Sequence, residues 1–96
     1  MDFLKEYNFT DSDILEIMES NHKAMIDYFI HNKDNVIQVI NYFREIGVIL
    51  NRDMFKYRLD VFSREIDTIK DNIAMYNVNI FVKLINDDIT NFELLD

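Results

Sequence analysis

The stretch that decides the fold is Asp60-Val61-Phe62-Ser63-Arg64-Glu65-Ile66-Asp67-Thr68-Ile69-Lys70-Asp71-Asn72-Ile73-Ala74-Met75-Tyr76. Its apolar side chains recur at steps of four and three residues, at Phe62, Ile66, Ile69, Ile73 and Tyr76, and polar side chains fill most of the positions between them. This period is typical of an amphipathic helix with one face turned toward a core. We therefore predict one helix over residues 60–76.

Two further helices carry similarly clear signals. Residues 33–46 place an apolar stripe ahead of Gly47, which stands where a glycine commonly ends a helix. Residues 11–20 follow Thr10, whose hydroxyl can accept a hydrogen bond from a free amide, and begin with acidic side chains that favour the positive end of the helix dipole. Both segments are predicted helices.

Shorter helices are predicted around these three. They cover residues 3–7 ending at Asn8, residues 23–30, residues 80–86 with Asn79 as the cap, and one turn within residues 49–59. Loops must be short, because proline is absent and the chain has one glycine. The sequence thus predicts an all-α fold of five to six short helices, arranged as helical hairpins in a single domain of residues 1–96.

Composition limits the class of protein. Of the 96 residues 49% are hydrophobic, and none is cysteine, which excludes disulfides and thiolate metal sites. The opening residues show neither the basic nor the apolar region of a secretory signal, and apolar runs reach only about four residues, far below a membrane span. We expect a cytoplasmic protein without a membrane segment.

Acidic side chains outnumber basic ones unevenly along the chain. The net charge is -8, made up of -5 in residues 1–34, +1 in residues 35–70 and -4 in residues 71–96. Nucleic acid and anionic lipid both attract a positive field. We therefore expect no nucleic-acid binding at physiological salt.

No motif of catalysis or metal binding is present. Ser12, Ser20 and Ser63 lie beside neither a histidine nor a glycine turn. His22 and His31 lack a third convergent ligand, and Asp27 is expected to pair with His31 on a helix surface. The acidic residues 11–13 lack the glycine and distal glutamate of a calcium loop and are read as helix capping. We predict no enzyme activity, no cofactor and no metal.

One basic and aromatic cluster is a candidate binding site. Arginine beside aromatic side chains is typical of phosphate grooves and of protein interfaces. The alternative is a solvated face that Asp53 and Asp60 partly neutralise. The candidate residues are Arg52, Phe55, Lys56, Tyr57, Arg58 and Arg64.

The last segment is a candidate interface. Phe92, Leu94 and Leu95 would each lose about 1.5–3 kcal/mol by staying in water when they could be buried. We expect them either to fold back on residues 80–85 or to contact a partner or a second copy, so that a homodimer is possible.

A weak internal repeat carries a family resemblance. Residues 3–9, 42–48 and 72–78 each end a predicted helix in an apolar residue, then Asn or Gly, then another apolar residue. Residues 17–25 and 84–92 then resemble each other as second helices. This order resembles the helical repeats of the mitochondrial transcription termination factor family, and residues 35–47 and 49–55 are similar to phrases in uncharacterised bacterial helical domains. The resemblance implies stacked helical hairpins and, in that family, nucleic-acid binding along a basic groove.

Three functions follow as expectations. The first is a non-catalytic helical interaction domain that binds a protein partner. The second is a nucleic-acid-associated regulatory module that uses residues 52–64, as the resemblance implies. The third is an acidic inhibitor that mimics DNA charge with the acidic last segment and Asp11, Asp13, Glu16 and Glu19.

Overall fold

The computed structural model describes residues 1–96 as nine helical segments without a strand. The first and last segments are 3-10 helices, Asp2–Tyr7 and Ile89–Leu95. Between them lie seven α-helices: α1 Asp11–Ser20, α2 Lys23–His31, α3 Lys33–Ile46, α4 Arg52–Tyr57, α5 Leu59–Phe62, α6 Ile66–Ala74 and α7 Val78–Asp87. The predicted all-α class is confirmed, but the predicted number of helices was too low. No helix has both the length and the apolar character needed to cross a membrane.

Several helix ends are set by the local signals that the sequence carries. The Thr10 hydroxyl accepts a hydrogen bond from the Asp13 amide at 3.1 Å, and the Asp13 carboxylate accepts one from the Thr10 amide at 3.0 Å. Asn8 and Gly47 adopt left-handed backbone conformations with φ of 69° and 109°. Asn77, the third predicted ending of this kind, has φ of -70° and instead begins the next helix.

The predicted helix over residues 60–76 is broken. It divides into α5 and α6 at Ser63–Glu65, where the carboxamide of Asn35 on α3 intervenes. Asn35 donates a hydrogen bond to the Arg64 carbonyl at 2.7 Å and accepts one from the Ile66 amide at 3.0 Å. The break also buries Val61, which would lie off the apolar stripe of a continuous helix.

Two other boundaries differ from the prediction. Helix α7 begins at Val78 because Asn77, and not Asn79, accepts the capping hydrogen bond, from the Ile80 amide at 3.2 Å. Tyr76, predicted on the buried stripe, lies beyond the end of α6 and is 42% exposed. An Asn on either side of Val78 offers the same capping chemistry, so sequence does not distinguish them.

Helices three positions apart in the chain pack against each other. Helix α1 lies against α4, α2 against α5, and α3 against α6, while α7 packs against the last 3-10 helix. Neighbours in sequence also contact each other, as α2 does α3 and α6 does α7. The predicted hairpin arrangement therefore describes only part of the packing.

The core is one cluster of 22 buried hydrophobic residues with aromatic rings at its centre. Phe55 and Phe62 stack with ring centroids 4.1 Å apart, and Phe43 packs edge-on against Phe62 at 5.6 Å. Phe92 meets both Phe43 and Phe62. Such pairs add about 0.5–1.5 kcal/mol each beyond the area they bury.

The last segment folds back into its own chain, which was one of the two predicted alternatives. Phe92 and Leu95 are buried, and Leu94 is half-buried. The segment packs closely against α7 and also contacts α6. The prediction that Phe92 and Leu95 form an interface is therefore corrected. Both are buried and present no surface to a partner in this conformation.

Candidate protein-binding surface

The predicted basic cluster does not form one continuous surface. Arg52, at the start of α4, lies 2.8 Å from Glu16 and 3.7 Å from Asp13, both on α1. It also lies within 3.6 Å of Asp53. The guanidinium therefore bridges the α1–α4 contact, and its charge is compensated by neighbouring carboxylates.

Arg58 and Arg64 form a second, separate group that holds the last segment. Both approach the Asp96 carboxylate, at 2.6 and 2.7 Å, and both pair with Asp60. Arg64 also donates a hydrogen bond to the Leu95 carbonyl at 2.9 Å. We call these four charged residues the arginine clasp: Arg58, Asp60, Arg64 and Asp96.

The clasp shifts the acidity of its carboxylates. Hydrogen bonds from Arg64 and Arg58 lower the pKa of Asp96 below its ordinary value. Burial acts to raise the pKa of Asp60, but its hydrogen bonds and charge attraction to Arg58 and Arg64 outweigh burial, so that this pKa is also lowered. Both carboxylates are thus held in the charged form that pairs with arginine.

The remaining members of the cluster point in different directions. Phe55 is fully buried, stacked on Phe62, and is not available to a ligand. Lys56 lies over the exposed ring of Tyr57, 5.4 Å from its centroid. From the predicted site, a half-buried Lys56 beside an exposed Tyr57 is the basic and aromatic pair that remains.

A different surface carries exposed apolar side chains in a row. On α7, Ile80 is 60% exposed and Leu84 is 38% exposed. They lie four residues apart and are therefore neighbours on the helix surface. We call the side of α7 that carries these two residues the α7 outer face.

The same apolar surface continues before the helix begins. Met75 is 81% exposed, and Tyr76 stacks on Phe81 with ring centroids 6.4 Å apart. Phe81 is three residues before Leu84, so the aromatic pair adjoins the α7 outer face. The Tyr76 hydroxyl donates to the Leu94 carbonyl at 2.9 Å, which fixes the ring at the edge of a shallow cleft shared by Met75 and Leu94.

Other exposed apolar side chains are more scattered. Leu15 and Met18 form a pair on α1, with exposures of 57% and 42%, while Ile49 and Tyr57 lie in separate parts of the chain. Isolated exposed apolar residues are normal on a protein surface. The α1 pair is a matched comparison for the α7 outer face because it is similarly exposed and also lies on a ten-residue helix.

Side chains that could together bind a metal ion are not assembled. No set of three or more histidine, aspartate or glutamate side chains is placed to hold a metal ion. The predicted pairing of His31 with Asp27 takes another form, since the His31 ring lies 2.7 Å from the Asp27 backbone carbonyl. The Asp27 carboxylate pairs with Lys23 instead.

Known proteins give no further indication of function. No protein family, curated protein or solved structure matches the chain. The resemblance to the termination-factor repeats stays a prediction.

Sequence reasoning placed Ile80 and Leu84 in a helix but did not single out their face. A signal was available, because six of the ten α7 residues are apolar and form one face that is wider than a narrow stripe. Such a wide face indicates a helix that contacts more than one neighbour. The identity of the uncovered side depends on how the other helices pack.

Proposed function

We propose that this chain is a non-catalytic helical interaction domain that binds a protein partner through the α7 outer face. The supporting observation is that the apolar face of α7 is wider than the part of it that the core covers. Phe81 and Ile85 are buried in the core, whereas Ile80 and Leu84, on the adjoining part of the same face, remain exposed. An apolar face on a helix is normally packed against a neighbour, so its uncovered part is a candidate contact surface.

Burial of this surface by a partner would contribute a substantial free energy of binding. Full burial of one isoleucine or leucine side chain contributes about 1.5–3 kcal/mol. Ile80 and Leu84 are partly covered already, so each offers a fraction of that amount, and Met75 and Tyr76 extend the surface. Tyrosine, the residue type at position 76, is enriched at interface hot spots.

Several observations support a non-catalytic role. The clefts of the surface are open to solvent, and none is lined by a serine, threonine or cysteine. Of the carboxylates whose pKa is lowered, Asp60 and Asp96 are bound to arginines that hold the last segment in place, and Asp13 and Asp88 accept capping hydrogen bonds. The lowered pKa values of Asp60 and Asp96 are therefore explained by ion pairs that stabilise the fold.

The observed geometry does not favour the other two functions. Arg52 and the arginine clasp are compensated by carboxylates, so they offer little free positive charge to nucleic acid. Asp13 and Glu16, two of the proposed DNA-mimic carboxylates, face Arg52 in the α1–α4 contact. Protein binding through α7 requires neither set of charges.

The proposal is tested by capture from the native cell with three forms of the chain. The unaltered chain and the matched control Leu15→Ser/Met18→Ser are expected to retain the same protein partner. The variant Ile80→Ser/Leu84→Ser is expected to lose it while keeping its helical circular dichroism, because the altered side chains are exposed. A partner that the α7 variant retains and the α1 variant loses would overturn the assignment of the surface.

A further inference from the structure

A cleft at the end of α3 contains an arginine that the fold leaves without a partner. This cleft has a volume of about 370 Å³, which is within the range of ligand sites. It is lined by Tyr7, Asn8, Arg44 and residues 47–50. We infer that the cleft binds an extended peptide segment of a partner through an aspartate or glutamate side chain, with Arg44 as the carboxylate-binding group. Neither Ile80 nor Leu84 lines the cleft, which is therefore a second site, independent of the α7 outer face.

Arg44 is the arginine whose charge no carboxylate of this chain compensates. The other three arginines each lie 2.6–2.8 Å from a carboxylate oxygen, whereas Arg44 forms neither an ion pair nor a side-chain hydrogen bond. Its guanidinium lies over the Tyr7 ring, 5.3 Å from the centroid, and the Tyr7 hydroxyl donates to the Asn41 carboxamide oxygen at 3.1 Å. This stacking orients the guanidinium and leaves its in-plane N–H groups free for a planar acceptor such as a carboxylate.

The charges around the cleft favour a carboxylate over a phosphate. Arg44 is the single positively charged residue among those that line the cleft. The 14-residue helix α3 ends at Ile46, so the cleft lies at the negative end of the helix dipole. A phosphate dianion would meet this field, and a chain of net charge -8, with one compensating cation. A carboxylate carries the single charge that one guanidinium neutralises.

The backbone amides at the end of α3 are not free to capture the terminal carboxylate of a peptide. The Gly47 and Val48 amides donate to carbonyls in the last turn of α3, and the Ile49 amide donates to the Asn86 side chain at 2.8 Å. Capture of a terminal carboxylate commonly uses a group of free amides. The guanidinium of Arg44 is therefore the anion-binding group, and an acidic side chain can reach it from within a longer segment.

The next residue, Leu50, provides backbone groups for a peptide. No hydrogen bond within the chain uses its amide or its carbonyl. Asn51, which follows, has an extended backbone with φ of -143° and ψ of 166°. An extended peptide can exchange a pair of hydrogen bonds with a residue of this kind, and its apolar side chains can cover Ile49, which is 70% exposed. Arg44 and Leu50 thus combine charge recognition and backbone recognition in one cleft.

Binding of short peptides to the full chain is followed by NMR, through the backbone amide signal of Leu50 and the side-chain Nε signal of Arg44. The principal probe is a peptide blocked at both ends, with a central glutamate between valine and threonine residues. A second peptide carries glutamine in place of the glutamate, and a third is this glutamine peptide with a free terminal carboxylate. Inorganic phosphate and a single glutamate blocked at both ends complete the set.

We expect the glutamate peptide to bind with a dissociation constant of about 1 mM or lower and to shift the Leu50 amide signal. Glutamine in the peptide, or Arg44→Gln in the protein, should weaken binding about tenfold or more, because either change removes a charged hydrogen-bonded pair. The matched control is Lys70→Gln, which removes a cation stacked 5.3 Å from the Tyr42 centroid and outside the cleft. Affinity for this control should stay within about threefold of the unaltered chain.

Equal affinity for the glutamate and glutamine peptides would overturn the inference, and this comparison needs no altered protein. Equal weakening by Arg44→Gln and Lys70→Gln would also overturn it, because it would show a general charge effect. So would the absence of binding at millimolar peptide. Equal or tighter binding of the free terminal carboxylate, of phosphate or of the single blocked glutamate would assign the cleft to a chain end, a phosphate ligand or a small organic acid instead.

Discussion

The ring of Phe92 packs edge-on against the ring of Phe62, with centroids 6.2 Å apart and planes at 66°. Phe62 belongs to α5 and Phe92 to the last 3-10 helix, so this contact joins two segments that lie far apart in the chain. Both rings are fully buried. The last segment is therefore part of the central core and does not merely cover it.

Replacement of Phe92 by alanine should destabilise the domain by about 3–5 kcal/mol, the cost of removing a buried aromatic ring and leaving a cavity. Denaturant unfolding followed by circular dichroism measures the change. As a control, Ile80→Ala should change stability by less than about 0.5 kcal/mol, because Ile80 is exposed. A similar small loss for Phe92→Ala would show that the last segment is not packed in solution.

Asn35→Ala should destabilise the domain by about 1–3 kcal/mol, because it leaves the Arg64 carbonyl and the Ile66 amide without their side-chain partner. The matched control is Asn79→Ala on α7, where the asparagine is exposed and alanine favours helix. The two variants are compared by their free energies of unfolding. Equal stability of both would mean that Asn35 does not hold the break between α5 and α6.

The arginine clasp predicts a loss of stability in acid. The folded-state pKa values of Asp60 and Asp96 lie below the ordinary value of 3.8, so the unfolded chain binds protons first as pH falls. The clasp therefore contributes its full share to the free energy of unfolding at pH values above 3.8. That contribution is lost as pH falls through the lower folded-state pKa values of Asp60 and Asp96.

Unfolding free energies measured from pH 7 down to about pH 3 test this prediction. Asp60→Asn and Asp96→Asn should each be less stable than the unaltered chain at pH 7, and their acid-induced loss should be smaller. Asp71→Asn, which changes an exposed carboxylate without an ion pair, should follow the unaltered chain. If all three variants lose as much stability in acid as the unaltered chain does, the clasp does not stabilise the domain.

Nucleic acid should not bind at about 150 mM salt, because eighteen acidic residues oppose ten basic ones and the main arginines are already paired. A gel-shift assay with duplex DNA and single-stranded RNA measures this directly. A tight complex would contradict this prediction. If Arg52→Ala/Lys56→Ala weakened that complex and Lys23→Ala/Lys33→Ala did not, the nucleic-acid-associated function expected from the sequence would be favoured instead.

Local signals in the sequence were sufficient to predict most helices. The cap at Thr10 joins residues three apart, and the left-handed end at Gly47 depends on a residue without a side chain. Helical periodicity is likewise a relation between residues three and four apart. The helices α1 and α3 were predicted with the boundaries that the structure has.

Features that depend on distant residues were not predictable in this way. The break before α6 requires Asn35, which is 31 residues from Ile66 in the chain. The arginine clasp joins Arg58 to a carboxylate 38 residues later. Nothing in the local pattern of residues 52–64 distinguishes arginines that bind a partner from arginines that hold the chain's own last segment.

The sequence by itself determined that this chain is helical, acidic and provided with enough apolar side chains for a core, because these properties follow from composition and from short-range spacing. Only the tertiary structure decided which apolar side chains that core includes. Phe92 is buried and Ile80 exposed, although both lie in helical segments with apolar neighbours. The difference arises because burial depends on which helices pack together, and the surface left uncovered on α7 depends on the same packing.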